Sequence, residues 1–383
     1  MGRCSGVQVH PGRLVAAGTA LIATCYGLAR FTYGLFSADF AAEFELSPLV
    51  SGMLGSGSYV GYCVAIFIAT ALTPRWGARW VGVLAGTTAT VGIVMVAVAS
   101  SATMLAIGLL VAGSSTGIAS PPMVAAIARW ISDARTDQAQ TLVNAGTGVG
   151  VLVSGPIALA LLAHWRVAWV IFALISALVT VAVWRCVPPG RPSQHTRGSR
   201  PAGAAGVPDG TARLLTCSAL MGMGSIAVWT LGRQAIVDQG GTPLLAALVW
   251  TIVGAAGIAG ALAGPAVHRL GLGRSWVIGM TAMAAASLTL SVYAAHPLAA
   301  ATAAAAFGAA YITLTGILLV WATRLFPDRA SFGVGISFLL IAAGQAIGSP
   351  LAGAGVEPLT LPGVFMACAA VASIGALLAP RGH

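Results

Sequence analysis

Arg30 is the only charged residue well inside an apolar run of this chain, and a guanidinium in that position needs a partner. It stands 30 − 13 = 17 residues past Arg13. On a helix that is roughly 25 Å along the axis, beyond the middle of a bilayer. A charge so placed costs about 2.5–3.5 kcal/mol on insertion scales, so it faces a wet cavity or a partner. Asp39, Glu43 and Glu45 cluster just past the same run, and no Asp or Glu lies deep in any other. Thr19, Tyr26, Arg30, Tyr33 and Ser37 recur at helical spacing and are expected on one face. Two readings of that face stand open. In one, Arg30, flanked by the Tyr26 and Tyr33 hydroxyls, receives an anionic group, bidentately if it is a carboxylate or phosphate. In the other, it snorkels outward to headgroups or to Asp39 and anchors the helix.

Other polar residues recur at helical steps. Ser225, Trp229 and Arg233 are four apart, with Gln234 adjacent and Asp238 following; Arg233 reads as an interfacial anchor or a gate ion pair. Trp229 reads as a belt residue or a stacking wall. Tyr311 and Thr315 form an i, i+4 pair, and Asn144 and Gln345 are amides inside apolar runs. Gly146, Gly148, Gly150, Gly155 and Pro156 permit close helix approach and a bend, for packing or as a hinge. The six Cys form no CxxC pair, and His164, His268 and His296 fall at run ends or between runs. No phosphate loop, metal-ligand cluster or nucleophile motif occurs, so no enzyme activity, metal or cofactor is expected.

The elements that carry these residues follow from composition. A soluble domain has roughly 25% charged residues. Here 7% are charged and 58% hydrophobic, which indicates a polytopic membrane protein. In that setting the formal charge of +10 does not point to nucleic acid; the place of each Arg matters more than the sum. Runs near the 20 residues that cross a hydrocarbon core recur twelve times. They lie at approximately 14–37, 48–72, 80–99, 103–127, 142–163, 167–185, 214–236, 243–266, 275–294, 298–322, 333–353 and 361–379. The first continues past Cys25 and another follows at once, so it reads as a retained helix rather than a cleaved signal. All Arg except Arg30, Arg166 and Arg233 then fall on one side, 19 − 3 = 16 of 19, which places both termini in the cytoplasm.

Between the sixth and seventh runs lies a Pro-, Gly- and Arg-rich stretch that can bury little and reads as a linker at 187–212. It separates six-helix halves at 1–186 and 213–383, and these repeat. Arg75-Trp76-Gly77 is matched by Arg269-Leu270-Gly271 at 269 − 75 = 194, and Gly155-Pro156 by Ser349-Pro350 at the same offset. Arg129 is matched by Arg324 at 195. Parallel repeats of this kind are built around an axis along the membrane normal.

Twelve spans as six plus six, a basic central linker and Arg-Gly turns after spans two and eight resemble the major facilitator superfamily over the whole chain. That family's turn reads Gly-x-x-x-Asp-Arg-x-Gly-Arg-Arg. Here Thr70 and Pro74 replace the Gly and the Asp, while Arg75, Gly77 and Arg79 remain; the second copy keeps Gly264, Arg269 and Gly271 but has His268 in place of the Asp. Residues 27–34 are also similar to the first helix of a YbfB/YjiJ-like group of bacterial facilitators. The resemblance implies an all-α carrier in a bacterial cytoplasmic membrane whose spans 1, 4, 7 and 10 line a cavity for a small molecule. An organic anion is favoured because of Arg30. Export of amphipathic, drug-like compounds and a non-transporting sensor or scaffold stand as alternatives. A coupling ion stays open, and a monomer is the working expectation.

Overall fold

The computed structural model describes residues 10–161, 164–190, 208–327 and 330–380. Most of the expected linker, 191–207, lies outside the described residues. No strand occurs among the described residues, and eleven of their helices are long and apolar enough to cross a membrane. These are α1 Pro11–Glu43, α2 Pro48–Trp76, α3 Ala78–Ala97, α4 Ala102–Trp130, α5 Asp133–Ala160, α6 Trp165–Cys186, α7 Thr211–Asp238, α8 Pro243–Leu270, α9 Leu272–Tyr293, α10 Pro297–Leu325 and α11 Ala330–Leu377.

The last two apolar runs of the sequence thus fall in one helix. It is broken at Thr360, whose φ of 65° and ψ of 165° are not helical. Pro358 and Pro362 bracket the break, each removing a backbone donor. Unbroken, such a helix would be about 70 Å long, more than twice the hydrocarbon thickness of about 30 Å.

The helix ends explain themselves locally. On the face opposite the arginine turns, α2, α4, α8 and α10 each start behind a side-chain cap. Ser47 accepts from the Val50 amide at 3.3 Å, Ser101 from Met104 at 3.2 Å, Thr242 from Leu245 at 3.1 Å and His296 from Ala299 at 3.3 Å. Such caps stabilise a helix by about 1 kcal/mol. On the arginine face, α2 passes to α3 and α8 to α9 through a single glycine. Gly77 has φ 85° and ψ 159°, and Gly271 has φ 80° and ψ 161°, a region that disfavours a Cβ. Arg75 and Arg269 are exposed in the last turns before them. Arg79 donates through Nε to the Val187 carbonyl at 2.6 Å and lies 5.4 Å from the Trp184 ring, tying α3 to the end of α6.

In hydrocarbon, apolar surface alone gives helices no reason to associate, so close approach through small residues takes over. Gly150 on α5 meets Ala23 and Gly27 on α1 so closely that a Cβ would overlap backbone. Gly155, one residue before Pro156, meets Thr251 on α8; Gly34 on α1 meets the Trp229 carbonyl on α7; Gly52 on α2 meets the Ser349 carbonyl on α11. Outward faces carry large apolar side chains such as Phe67, Leu174, Leu178 and Leu298.

Ile258–Leu262 within α8 winds as a 3-10 helix, and a second stretch also departs from α geometry. Ala23–Phe31 within α1 winds as a π-helix, and at its end the Thr32 side-chain hydroxyl donates to the Gly27 carbonyl at 2.7 Å. Arg30 is in this stretch. Replacing Gly150 by Val drives methyl groups into the α1 backbone, and overpacking of this kind destabilises by about 1–3 kcal/mol. Gly150→Val is therefore expected to lower the thermal unfolding midpoint in detergent, whereas Gly12→Val, at a position with open space, leaves it unchanged.

Candidate functional site

Arg30 is only 5% exposed. Its guanidinium carbon lies 4.4 Å from the Tyr59 ring, 5.0 Å from Tyr62, 5.2 Å from Phe31 and 5.8 Å from Tyr26. Rings at such distances stabilise a cation by about 0.5–2 kcal/mol each. Its Nη2 donates to the Gln345 side-chain oxygen at 2.6 Å, and its Nε is buried with no hydrogen-bond partner. The cation is thus solvated by rings and one amide, and no described carboxylate reaches it.

The acids near the end of α1 are held by other residues. Asp39 forms an ion pair with Arg233, which also donates to the Leu35 carbonyl at 2.7 Å. Glu43 pairs with Arg166 at 2.5 Å and accepts from the Trp165 indole at 2.7 Å. The snorkelling alternative, in which Arg30 reaches Asp39 or the lipid surface, is accordingly corrected: Asp39 belongs to Arg233, and Arg30 points inward.

Gln345 is the hub of the interior. Fully buried on α11, it receives Arg30 on its oxygen and donates through its nitrogen to the Tyr311 hydroxyl at 3.1 Å and to Ser225 at 3.4 Å. Nearby, Asn144 on α5 donates to Thr315 on α10 at 3.1 Å. Arg30, Tyr26, Asn144, Tyr311, Thr315 and Gln345 surround one cavity of about 30 Å³. That is room for two or three waters at about 10–15 Å³ each, so a solute of several heavy atoms enters only if the walls move.

Above this cavity, on the face away from the arginine turns, the helices are shut. Phe31 and Trp229 stack at 4.0 Å, and Trp229 meets Trp250, Phe307 and Tyr311 edge-on at 5.6, 5.3 and 5.1 Å. Ser37 donates to the Thr230 carbonyl at 3.3 Å, and Ser349 to the Gly52 carbonyl at 2.8 Å. The Asp39–Arg233 pair lies beyond them. Below, on the arginine side, a cavity of about 270 Å³ opens among Ile22, Thr70, Pro74, Ser120, Gln140 and Gly335. Asn144 and Phe338 line both cavities and therefore form the throat between them.

Some candidate residues lie elsewhere than expected. Tyr33 does not flank Arg30: its hydroxyl donates to the Ser51 carbonyl at 2.6 Å and its ring stacks on Phe40 at 6.0 Å. The π-helical turns break the regular spacing on which a shared face with Tyr26 depended. Trp229 is a stacking wall inside the bundle rather than a belt residue, and Ser225 touches the site only through Gln345. Asp238 accepts weakly from Gln234 at 3.4 Å, so the gate partner of Arg233 is Asp39 and not Asp238. Sequence reasoning missed Tyr59 and Tyr62, which supply the closest rings, as well as Ser120, whose hydroxyl is 2.8 Å from that of Tyr26. The available signal was the spacing of Tyr59 and Tyr62, two of only six tyrosines in the chain, set three apart inside an apolar run.

Residues 19–262 match the sequence model of the Major Facilitator Superfamily. Over 94% of its length the chain is 24% identical to the transcription regulatory protein OpdE of Pseudomonas aeruginosa, covering 92% of that protein. Over 65% of its length it is 31% identical to human monocarboxylate transporter 11, of which it spans 54%. Among solved structures, a point mutant of the nucleoside transporter NupG superposes with a TM-score of 0.73 at 12% identity, over 95% of this chain and 98% of that one. A bacterial homologue of the human lysosomal transporter Spinster, inward-facing and occupied, gives 0.74 at 16% identity, over 97% of both chains.

The Asp39–Arg233 pair is testable by a charge cycle. Asp39→Asn and Arg233→Gln are each expected to lower the thermal midpoint, and their combination is expected to cost less than the two effects added. The coupling should fall within the roughly 0.5–3 kcal/mol seen for contacting residues.

Proposed function

The chain belongs to the Major Facilitator Superfamily, and on that premise we propose that it carries a small organic monoanion across a bacterial cytoplasmic membrane by alternating access. Membership makes it a multi-pass membrane transporter of a small molecule rather than an enzyme. The observation that carries the anion reading is Arg30: a buried guanidinium whose Nε has no partner and whose Nη2 is met by a neutral amide. A carboxylate accepting from both nitrogens would take the place of the Gln345 oxygen, and such charge-assisted paired bonds are the stronger kind. One cation calls for one negative charge. The likeness to a monocarboxylate transporter supports the same class.

In this reading Arg30, Tyr26, Gln345, Tyr311, Asn144 and Thr315 bind the substrate, Trp229 and the Asp39–Arg233 pair close one end, and the larger cavity is the vestibule of the other. Twelve crossings in two halves, 1–186 and 213–383 about the linker at 187–212, fit the break at Thr360 and the recurring caps and turns. The offsets are 242 − 47 = 195, 296 − 101 = 195 and 271 − 77 = 194. The arginine face is then cytoplasmic, with both termini, and a monomer suffices because one chain encloses the cavity.

A second reading, regulation without transport, is favoured by the name of the OpdE relative. Thermal stabilisation of the purified protein tests which ligand it binds, and uptake into proteoliposomes separates transport from regulation. A ligand at ten times its Kd stabilises the native state by about 1.4 kcal/mol. Among monocarboxylates, dicarboxylates, phosphates, nucleosides and cationic drugs, monocarboxylates are expected to raise the midpoint of the parent and not that of Arg30→Gln. Equal stabilisation of both proteins by neutral or cationic compounds would contradict the anion reading, and amphipathic export would replace it.

A further inference from the structure

Resting on the proposed anion carriage, we infer that the protein is an exchanger, returning only when a second monoanion occupies the site. The reason lies in what faces Arg30 from each helix around it. From α1 come Tyr26 and Phe31, from α2 Tyr59 and Tyr62, and from α11 Gln345. The rest of the cavity wall is Asn144, Thr147, Tyr311, Ile312, Thr315, Phe338, Ile341 and Ala342, none of which carries a charge. The described carboxylates of α1 are held at its end by Arg233 and Arg166, and those of Asp209, Asp238 and Glu357 sit at helix ends or at the break in α11.

Alternating exposure passes through a state closed at both ends. With a monoanion aboard, the charge of Arg30 is cancelled and its Nε is satisfied. Empty, the guanidinium must make the passage with its charge uncancelled, in a space that holds two or three waters. A proton cannot relieve this, because arginine keeps its own proton and the facing side chains hold no carboxylate to discharge. A carrier that returns empty needs an acid that folds onto its arginine when the substrate leaves. Gln345 has the position for that role but lacks the charge. The empty return is therefore the slow step, and the exchange of one monoanion for another is electroneutral.

Proteoliposomes test this with pyruvate, lactate and benzoate as probes. Initial uptake of the labelled anion into vesicles preloaded with the same unlabelled anion is expected to be at least tenfold faster than into vesicles holding none, and indifferent to an imposed membrane potential. Gln345→Glu places a carboxylate against Arg30 and should bring that ratio toward one while weakening substrate affinity. Equal uptake into loaded and unloaded vesicles by the parent, or accumulation in unloaded vesicles driven by a pH gradient, overturns exchange but leaves anion carriage standing. An unchanged ratio in a folded Gln345→Glu protein also overturns exchange. No uptake of any probe under any loading overturns the anion reading itself, and the inference with it.

Discussion

A cation held in the interior with no described carboxylate to meet it is the constraint on which the site is built. Removing one partner from a buried ion pair destabilises by about 3–5 kcal/mol, so a guanidinium without any such partner needs another source of solvation. Arg30 has two: four aromatic rings and the oxygen of Gln345. The rings come from α1 and α2, while Gln345 comes from α11 and is steadied by Tyr311 of α10 and Ser225 of α7. The cation thus sits where side chains of α1, α2, α7, α10 and α11 converge. The acids that could have quenched it, Asp39 and Glu43, are spent on Arg233 and Arg166 at the end of α1.

The glycines make this arrangement possible. Gly150 lets α5 approach the π-helical stretch that carries Arg30, and Gly34 lets α7 approach one turn further on. Trp229 is brought onto Phe31 by the second approach, and the stack seals the end that the Asp39–Arg233 pair then fastens. On the opposite side the helices diverge enough to leave the larger cavity, with Asn144 and Phe338 at its throat.

Much of the fold could be read from residue types, because a bilayer leaves few options. Apolar runs near 20 residues must be helices, and Arg residues mark one face. Gly77 and Gly271 mark turns that a side chain would strain. The site was legible where it depended on rare residues in apolar runs: Arg30, Asn144, Gln345, Tyr311 and Thr315 do come together. It was not legible where it depended on hydrogen-bond register. A π turn changes which residues share a face without changing composition, and so Tyr33 went to Ser51 rather than to Arg30. Nor could helix spacing tell that Arg233 would choose Asp39, 233 − 39 = 194 residues away, over its near neighbour Asp238. The Tyr59 and Tyr62 rings escaped notice because aromatic residues in spans serve packing far more often than ion solvation.

The most direct test is the structure of the protein with a bound monocarboxylate, determined at the resolution of side chains. The carboxylate should accept from Arg30 Nε and Nη2, with the Gln345 oxygen moved off the guanidinium and the small cavity enlarged to hold the rest of the molecule. A carboxylate found in the larger cavity, with the Arg30–Gln345 bond intact, would contradict the assignment and leave Arg30 a structural cation.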